Sequence, residues 1–341
     1  MTTPRLAVTL GDPAGIGPEI VARTLADPPP GARALGIAVG DVAALRRAVE
    51  VCGLAVEVRP IERVDDARGD TGVIDCLDIG VSARPADPGV VDAEAGRAAI
   101  RAIEVATRAA LAGHFAGIVT APINKEAIWA AGSEHLGHTE MLGALTGSAH
   151  PTTMFLVRGL SIFFTTRHES LRQALDNITP ESVGLAIDES HKALRVLGHE
   201  APRLAVAAVN PHGGENGSFG REEIDILAPA VQAAHERGLD GVKGPVPADA
   251  VFHQGLQGRY DGVLSHFHDQ GHIAAKTLDF EGAITLTMGL PVLRTSVDHG
   301  TAFDIAGTGK ASAGGLAAAF DAAARYADRA PVLREAYGSA A

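Results

Sequence analysis

Three histidines stand in short polar loops, each just after an apolar run: His168 in Thr165-Thr-Arg-His-Glu, His212 in Asn210-Pro-His-Gly-Gly-Glu, and His268 in His266-Phe-His-Asp-Gln-Gly-His272. Neutral imidazoles suit a divalent transition metal, and three protein ligands leave coordination positions open for a substrate. With no cysteine nearby, the ion would be Zn2+, Mn2+, Co2+ or similar. A single histidine is more often a surface or hydrogen-bonded side chain, but three that each follow a strand point toward a metal site. The run His268-Asp-Gln-Gly-His-Ile-Ala-Ala-Lys276 adds a carboxylate and an ammonium. Lys276 could neutralise an anionic substrate group, and Asp269 could carry a proton or orient a metal ligand.

Two further motifs suit anionic or nucleotide ligands. Gly11-Asp-Pro-Ala-Gly-Ile-Gly-Pro-Glu19 sits at a strand-to-helix turn, where glycines let backbone amides approach a ligand or simply allow tight packing. It is not the GxGxxG fingerprint. In Leu293-Arg-Thr-Ser-Val-Asp-His-Gly-Thr-Ala-Phe-Asp-Ile-Ala-Gly307, Arg294 offers a bidentate fork for phosphate or carboxylate. His299-Gly-Thr-Ala then makes a compact turn, and Asp304 would favour a free ribose 2′-OH over a 2′-phosphate. The same stretch could equally be a connecting loop held by local hydrogen bonds. Gly137-His-Thr-Glu140 presents an imidazole and a hydroxyl at a helix start, and Asp249 follows the rigid turn Gly244-Pro-Val-Pro. Alone, both read as turn and cap chemistry.

Short apolar strands alternate with Ala-rich helical segments, as α/β layers require. Strands are expected at Arg5–Leu10, Leu35–Val39, Gly117–Thr120, Leu204–Val209, Gly262–Ser265 and Ile284–Met288. Thr153–Val157 and Ser161–Thr165 read as a hairpin, which makes the sheet arrangement mixed. Helices are expected at about Pro18–Ala26, Glu94–Ala112, Pro180–Leu197 with Thr179 as cap, and Gly314–Ala327. Pro28–Pro30 and Arg84–Gly89 read as loops. The polar clusters follow strands, and ligands of open α/β sheets gather beyond the carboxyl ends of strands.

The 341 residues suit two domains or one large α/β unit. A net charge of -12 and no basic stripe argue against a nucleic-acid binder. Two cysteines, Cys52 and Cys76, without CxxC spacing disfavour a disulfide scaffold or a thiolate zinc site. No signal-peptide pattern and no apolar run of about 18 residues is visible, so a cytoplasmic protein without a membrane partner is expected. An acidic chain repels anionic substrates unless local cations offset its field.

Taken in order, these motifs resemble the 4-hydroxythreonine-4-phosphate dehydrogenase family over nearly the whole chain. The resemblance implies two α/β/α domains with mixed sheets, similar to isocitrate and isopropylmalate dehydrogenases, with the active site in the interdomain cleft. The nucleotide-side domain would be residues 1–130 plus about 290–341. The metal, substrate and dimerisation domain would be about 131–289. It implies an NAD-dependent oxidative decarboxylase requiring one divalent ion (Zn2+, Mn2+, Co2+ or Mg2+), acting as a homodimer with one metal histidine supplied by the partner. By matching positions, His168, His212 and His268 are the metal ligands. His138, Thr139, Lys276, Thr285 and Arg294 contact substrate. His299, Gly300, Thr301, Ala302, Asp304 and Ile305 form the nucleotide loop, with Asp304 and Ile305 selecting NAD. Asp249, Asp269 and Lys276 are candidates for proton transfer.

Two departures bear on the substrate. Thr285 stands where the family pattern has Asn, and His272 stands where the usual loop has Leu. The His-Asp-Gln-Gly-His loop is more similar to relatives acting on D-threonate or D-erythronate 4-phosphate than to those of pyridoxine biosynthesis, so sugar-acid catabolism is one expectation. A His-liganded metal hydrolase and a dihydrodiol dehydrogenase of the same superfamily are the alternatives.

Overall fold

The computed structural model describes residues 3–80 and 86–338. Arg84 and Pro85 of the expected loop 84–89 lie outside them. The chain divides into two compact units, one of residues up to Thr152 together with those from Ile284 onward, the other Thr153–Ala283. The first unit begins with β1 (Arg5–Thr9), α1 (Gly17–Ala26), β2 (Leu35–Gly40), α2 (Val42–Val51), β3 (Glu57–Ile61) and β4 (Val73–Asp78). It continues with α3 (Ala93–Leu111), β5 (Gly117–Thr120), α4 (Lys125–Ala130) and α5 (His138–Thr146). The second unit runs β6 (Thr152–Val157), β7 (Leu160–Phe164), α6 (Leu171–Asp176), α7 (Pro180–Val196), β8 (Leu204–Ala207), α8 (Ala228–Glu236), β9 (Val242–Val246), α9 (Ala248–Leu256), β10 (Gly262–Ser265) and α10 (His268–Leu278). The chain then returns to the first unit with β11 (Ile284–Met288), β12 (Arg294–Ser296), α11 (Gly314–Tyr326) and α12 (Ala330–Tyr337).

In the first unit the strand order is β3-β4-β2-β1-β5-β12-β11. All pairs are parallel except β11 with β12. Buried strands of a parallel sheet have apolar residues on both faces. Ala7, Ile37, Val39 and Ile118 pack with Ile103 and Ala106 of α3. On the opposite face a Cβ at Gly36 would strike Leu25 of α1 and Phe320 of α11, which is how closely those helices approach. The second unit has the order β6-β7-β10-β8-β9, with β6 antiparallel to β7 and the rest parallel. Val251 of α9 and Ala275 of α10 cover the face carrying Ile162, Ala205 and Val263. Both units are thus α/β with mixed sheets. Among the described residues no helix is long and apolar enough to cross a membrane.

The division falls later in the chain than the expected boundary near residue 131. Met141 and Leu142 of α5 are fully packed into the core that includes α3, so α4 and α5 belong to the first unit. Strand β11 joins the same unit because it pairs with β12. The hairpin, the Thr179 cap and strands β5, β10 and β11 lie where the sequence places them. The run after Leu293, which could have been a connecting loop, begins with strand β12.

The Gly11–Glu19 motif is packed tightly at the end of β1. Gly11 has φ +67 and a Cβ there would lie 2.2 Å from the Pro122 carbonyl. At Gly15 a Cβ would lie 2.8 Å from the Thr301 side chain. Glu19, buried, accepts the Gly307 amide at 2.6 Å and the Gly309 amide at 2.9 Å. The Ile16 amide donates to the Thr301 carbonyl at 3.0 Å. The motif therefore holds the 301–309 loop in place.

Asp12, fully buried, accepts the Ala14 amide through Oδ1 at 2.8 Å, while Oδ2 has no partner among the described residues. Burial pushes its carboxyl up to about 6, against the downward pull of the Ala14 amide. A raised carboxyl pKa disfavours the native state once both states are ionised. Stability is therefore fully present below about pH 4 and is lost as pH rises through about 6, by about 3 kcal/mol in all. Asp12→Asn keeps the Ala14 bond and removes the charge. It should raise the thermal unfolding midpoint by several degrees at pH 7.5 and by little at pH 4. An equal gain at both pH values would show that ionisation of Asp12 is not the cause.

Candidate active site

In the second unit the carboxyl ends of β7, β10 and β8 lead into the loops bearing His168, His268 and His212. His168 and His268 come together, with ring centroids 6.0 Å apart. That spacing suits two imidazoles sharing one ion at metal–nitrogen distances of about 2.0–2.1 Å. His268 Nδ1 donates to Asp269 Oδ1 at 2.7 Å, which fixes the tautomer and leaves Nε2 for a ligand. His212 does not complete a set with them. Among the described residues of one chain no group of three His, Cys, Asp or Glu has metal-ligand spacing.

His212 begins a left-handed turn. Residues 212–216 all have positive φ, including the non-glycines His212 (53), Glu215 (42) and Asn216 (54). Such backbone is costly for L-residues and persists only where the surroundings enforce it. The enforcing group is Glu223, buried, which accepts the Val209 and Asn210 amides at 2.8 and 2.7 Å. Burial pushes its carboxyl up, but the Asn210 and Val209 bonds outweigh this and hold it below its ordinary value.

His268, His272 and Lys276 are spaced four apart on α10 and so share one face. His272 stacks on His268 at 3.6 Å between centroids and 10° between planes. Its Nδ1 donates to the His268 carbonyl at 2.8 Å, and its ring meets Phe155 at 4.3 Å. Lys276 Nζ lies 5.3 Å from the Phe280 ring centroid. His168, His268 and Asp269 line a cavity of about 530 Å³ with Arg167 and Glu169. Asp269 also lines a second cavity of about 620 Å³, whose wall includes Asp249 of the first turn of α9. Two of the three proton-transfer candidates thus face one space.

In the first unit Arg294 is buried on β12. Its Nε and Nη2 donate to the Thr120 hydroxyl at 3.1 and 2.7 Å, and its Nη1 donates to the Thr287 hydroxyl at 3.0 Å. No carboxylate forms an ion pair with it among the described residues, whose ion pairs lie elsewhere. Burial pushes the guanidinium down to about 10, with Glu140 pulling it back up, so it is charged at neutral pH. His138 opens α5, where backbone amides lack helical acceptors. Burial, and then the charge of Arg294, hold its imidazole well below the usual value and therefore neutral. Its Nε2 is shut away from solvent without a partner among the described residues. Thr139 follows in the same turn. A buried cation held, among the described residues, by hydroxyls, beside a helix N-terminus and a neutral imidazole, is an arrangement that an anion completes.

Thr285 is on β11, and its hydroxyl donates to the Ser296 carbonyl at 3.2 Å, so its proton is used within the sheet. His299, Gly300, Thr301, Ala302, Asp304 and Ile305 form an irregular loop after β12. His299 Nδ1 donates to the Gly300 carbonyl at 3.0 Å. Ala302 has φ 42, and Asp304 is exposed. The sequence reading missed Thr120 and Thr287, whose hydroxyls accept from Arg294, Ser296, which bonds Thr120, and Glu223, which accepts the amides leading into the His212 turn. Thr120 and Thr287 do carry a local signal, a polar residue inside a short apolar strand.

The model of the family described as "Pyridoxal phosphate biosynthetic protein PdxA" matches residues 33–323. A protein of Cutibacterium acnes named "Putative D-threonate 4-phosphate dehydrogenase" is 52% identical over 337 residues, covering 98% of this chain and 97% of that one. The crystal structure of 4-hydroxythreonine-4-phosphate dehydrogenase from Klebsiella pneumoniae matches with a TM-score of 0.89 and 43% identity, over 96% of this chain and 98% of that one. A terephthalate 1,2-cis-dihydrodioldehydrogenase from Burkholderia xenovorans matches with a TM-score of 0.61 and 30% identity, over 92% and 95%. Fold, motif order and similarity along the whole chain agree: the protein belongs to the pyridoxal phosphate biosynthetic protein PdxA family and is a dehydrogenase of the 4-hydroxythreonine-4-phosphate dehydrogenase type.

Proposed function

We propose that the protein oxidatively decarboxylates a four-carbon sugar-acid phosphate, D-threonate or D-erythronate 4-phosphate, to dihydroxyacetone phosphate and CO2 with NAD+. The observation that carries this reading is Arg294, a buried guanidinium without a carboxylate partner among the described residues. Burying an unpaired charge is expensive, and a phosphate dianion is the counter-charge that offsets it. The same feature calls for a substrate that carries an anionic group. His272 and Thr285, at the two positions departing from the 4-hydroxythreonine phosphate pattern, support the sugar-acid branch, as does the name of the Cutibacterium relative.

His168 and His268, paired and with the His268 tautomer fixed by Asp269, fit two positions of a divalent metal site. His212 would supply the third ligand in a homodimer whose sites are shared between copies. Bound at these sites, a divalent ion would acidify the substrate C3 hydroxyl and NAD+ would accept the C3 hydride. The resulting 3-keto acid loses its C1 carboxylate as CO2, and C2 is then protonated. Asp249, Asp269 and Lys276 are the groups available to move that proton. Arg294 with His138 and Thr139 holds the phosphate, and Lys276 adds a second cation. Thr285, whose proton goes to the Ser296 carbonyl and so is not free to donate to substrate, would instead accept a hydrogen bond from a substrate hydroxyl. The loop 299–305 carries the nucleotide, with Asp304 and Ile305 selecting NAD+ over NADP+.

NADH formation with a divalent ion, compared among D-threonate, D-erythronate and 4-hydroxythreonine 4-phosphates, tests the substrate. A higher kcat/KM for a sugar-acid phosphate is expected. Preference for the amino-acid phosphate would overturn that choice, and preference for NADP+ would overturn the role of Asp304. Arg294→Met should lower kcat/KM by about 30-fold to several thousand-fold, the range for removing one partner of a buried charged pair. Near wild-type kcat/KM in a folded Arg294→Met protein would remove Arg294 from the substrate site.

A further inference from the structure

His266 lies outside every role assigned above, although it is among the best-connected side chains of the second unit. It is fully buried immediately after β10, two residues before His268. Its Nε2 donates to the Ala207 carbonyl at 2.7 Å, at the end of β8. A carbonyl can only accept, so Nε2 carries the proton and Nδ1 is the acceptor. Nδ1 receives the Thr165 hydroxyl at 3.1 Å, just past the end of β7. The His266 backbone continues the pattern. Its carbonyl accepts the Thr166 hydroxyl at 2.8 Å, and its amide donates to Gln270 Oε1 at 2.8 Å, while Gln270 Nε2 donates to the Ala208 carbonyl at 2.8 Å.

One residue thus bonds together the ends of three adjacent strands. The chain leaves those ends for His168, three residues after Thr165, for His212, five after Ala207, and for His268. Burying an imidazole costs desolvation that an apolar residue of similar size would avoid. The cost is offset here only through bonds to the neighbouring strand ends.

We propose that His266 is a positioning residue for the metal site: it sets the relative placement of the loops bearing His168, His212 and His268 without touching the ion. The inference rests on the metal-ligand reading of those three histidines. Groups behind metal ligands typically govern affinity by 10–100-fold.

Co2+ binding to the full-length protein, by chelator competition and by its visible absorption bands, provides a test that does not depend on turnover. His266→Met should weaken Co2+ binding at least about tenfold and shift the bands. His266→Gln, whose amide can donate to Ala207 and accept from Thr165, should recover affinity to within about threefold of wild type. Thr165→Val removes only the bond toward β7. It should weaken binding by a smaller factor with little change in the unfolding midpoint of the metal-free protein. Unchanged Co2+ affinity and bands in His266→Met would overturn the positioning role. Should that variant fail to fold, unchanged affinity in Thr165→Val would do the same. A wild-type protein that binds no Co2+ would instead overturn the metal reading beneath the proposal, and the proposal with it.

Discussion

A guanidinium buried without a carboxylate among the described residues is the constraint to which the first unit is built. Arg294 can be tolerated in the sheet only if each nitrogen finds an oxygen. Thr120 ends β5, its parallel neighbour, and Thr287 faces it across the antiparallel pair with β11. Thr120 also donates to the Ser296 hydroxyl, which returns a bond to the Thr120 carbonyl, so the acceptor is itself held. Reversing the direction of β11 in an otherwise parallel arrangement brings Thr287 opposite Arg294. The cation is thereby fixed rather than neutralised, which leaves its field available to an anion.

The second unit solves a related problem at strand ends. Parallel strands deliver polar loops at their carboxyl ends, where backbone groups no longer have a ladder. Here the vacated positions are filled by polar side chains, of which His266 and Glu223 are buried and Gln270 is partly so. His266 and Gln270 serve β7, β8 and β10, and Glu223 serves the start of the left-handed turn at His212. Each is a polar group whose burial would destabilise the fold if any one partner were lost. That mutual dependence fixes loops that would otherwise be free to move.

Much of this arrangement was legible in the sequence, but only where a signal is local. Short apolar runs identify β5, β10 and β11 to the residue, because a strand buried on both faces is a short apolar block between breakers. The Thr179 cap and Pro180 mark the start of α7 for the same reason. The exposed edge strand β3 escapes the pattern, since Glu57, Arg59 and Pro60 interrupt its apolar residues. Residues that act across distance are illegible by local rules. Thr120 and Arg294 are 174 positions apart, and Glu19 meets Gly307 across 288. His266 lies within a motif already noted for its other histidines, yet nothing local separates a tie among three strands from a ligand.

The charge distribution gives this reading a further physical edge. Solvation alone would leave cations exposed and unpaired and would pair any that are buried. The protein does the opposite. Several solvent-accessible arginines are matched with carboxylates, as in Arg5 with Asp65, Arg203 with Asp261 and Arg237 with Asp188, pairs that add little stability at the surface. Arg294, where a carboxylate would help most, has hydroxyls instead. In a chain of net charge -12 a carboxylate would have been easy to supply. Its absence from the cradle, among the described residues, makes sense if the missing negative charge arrives with the substrate. A protein carboxylate at that position would compete with any anionic ligand for the same guanidinium.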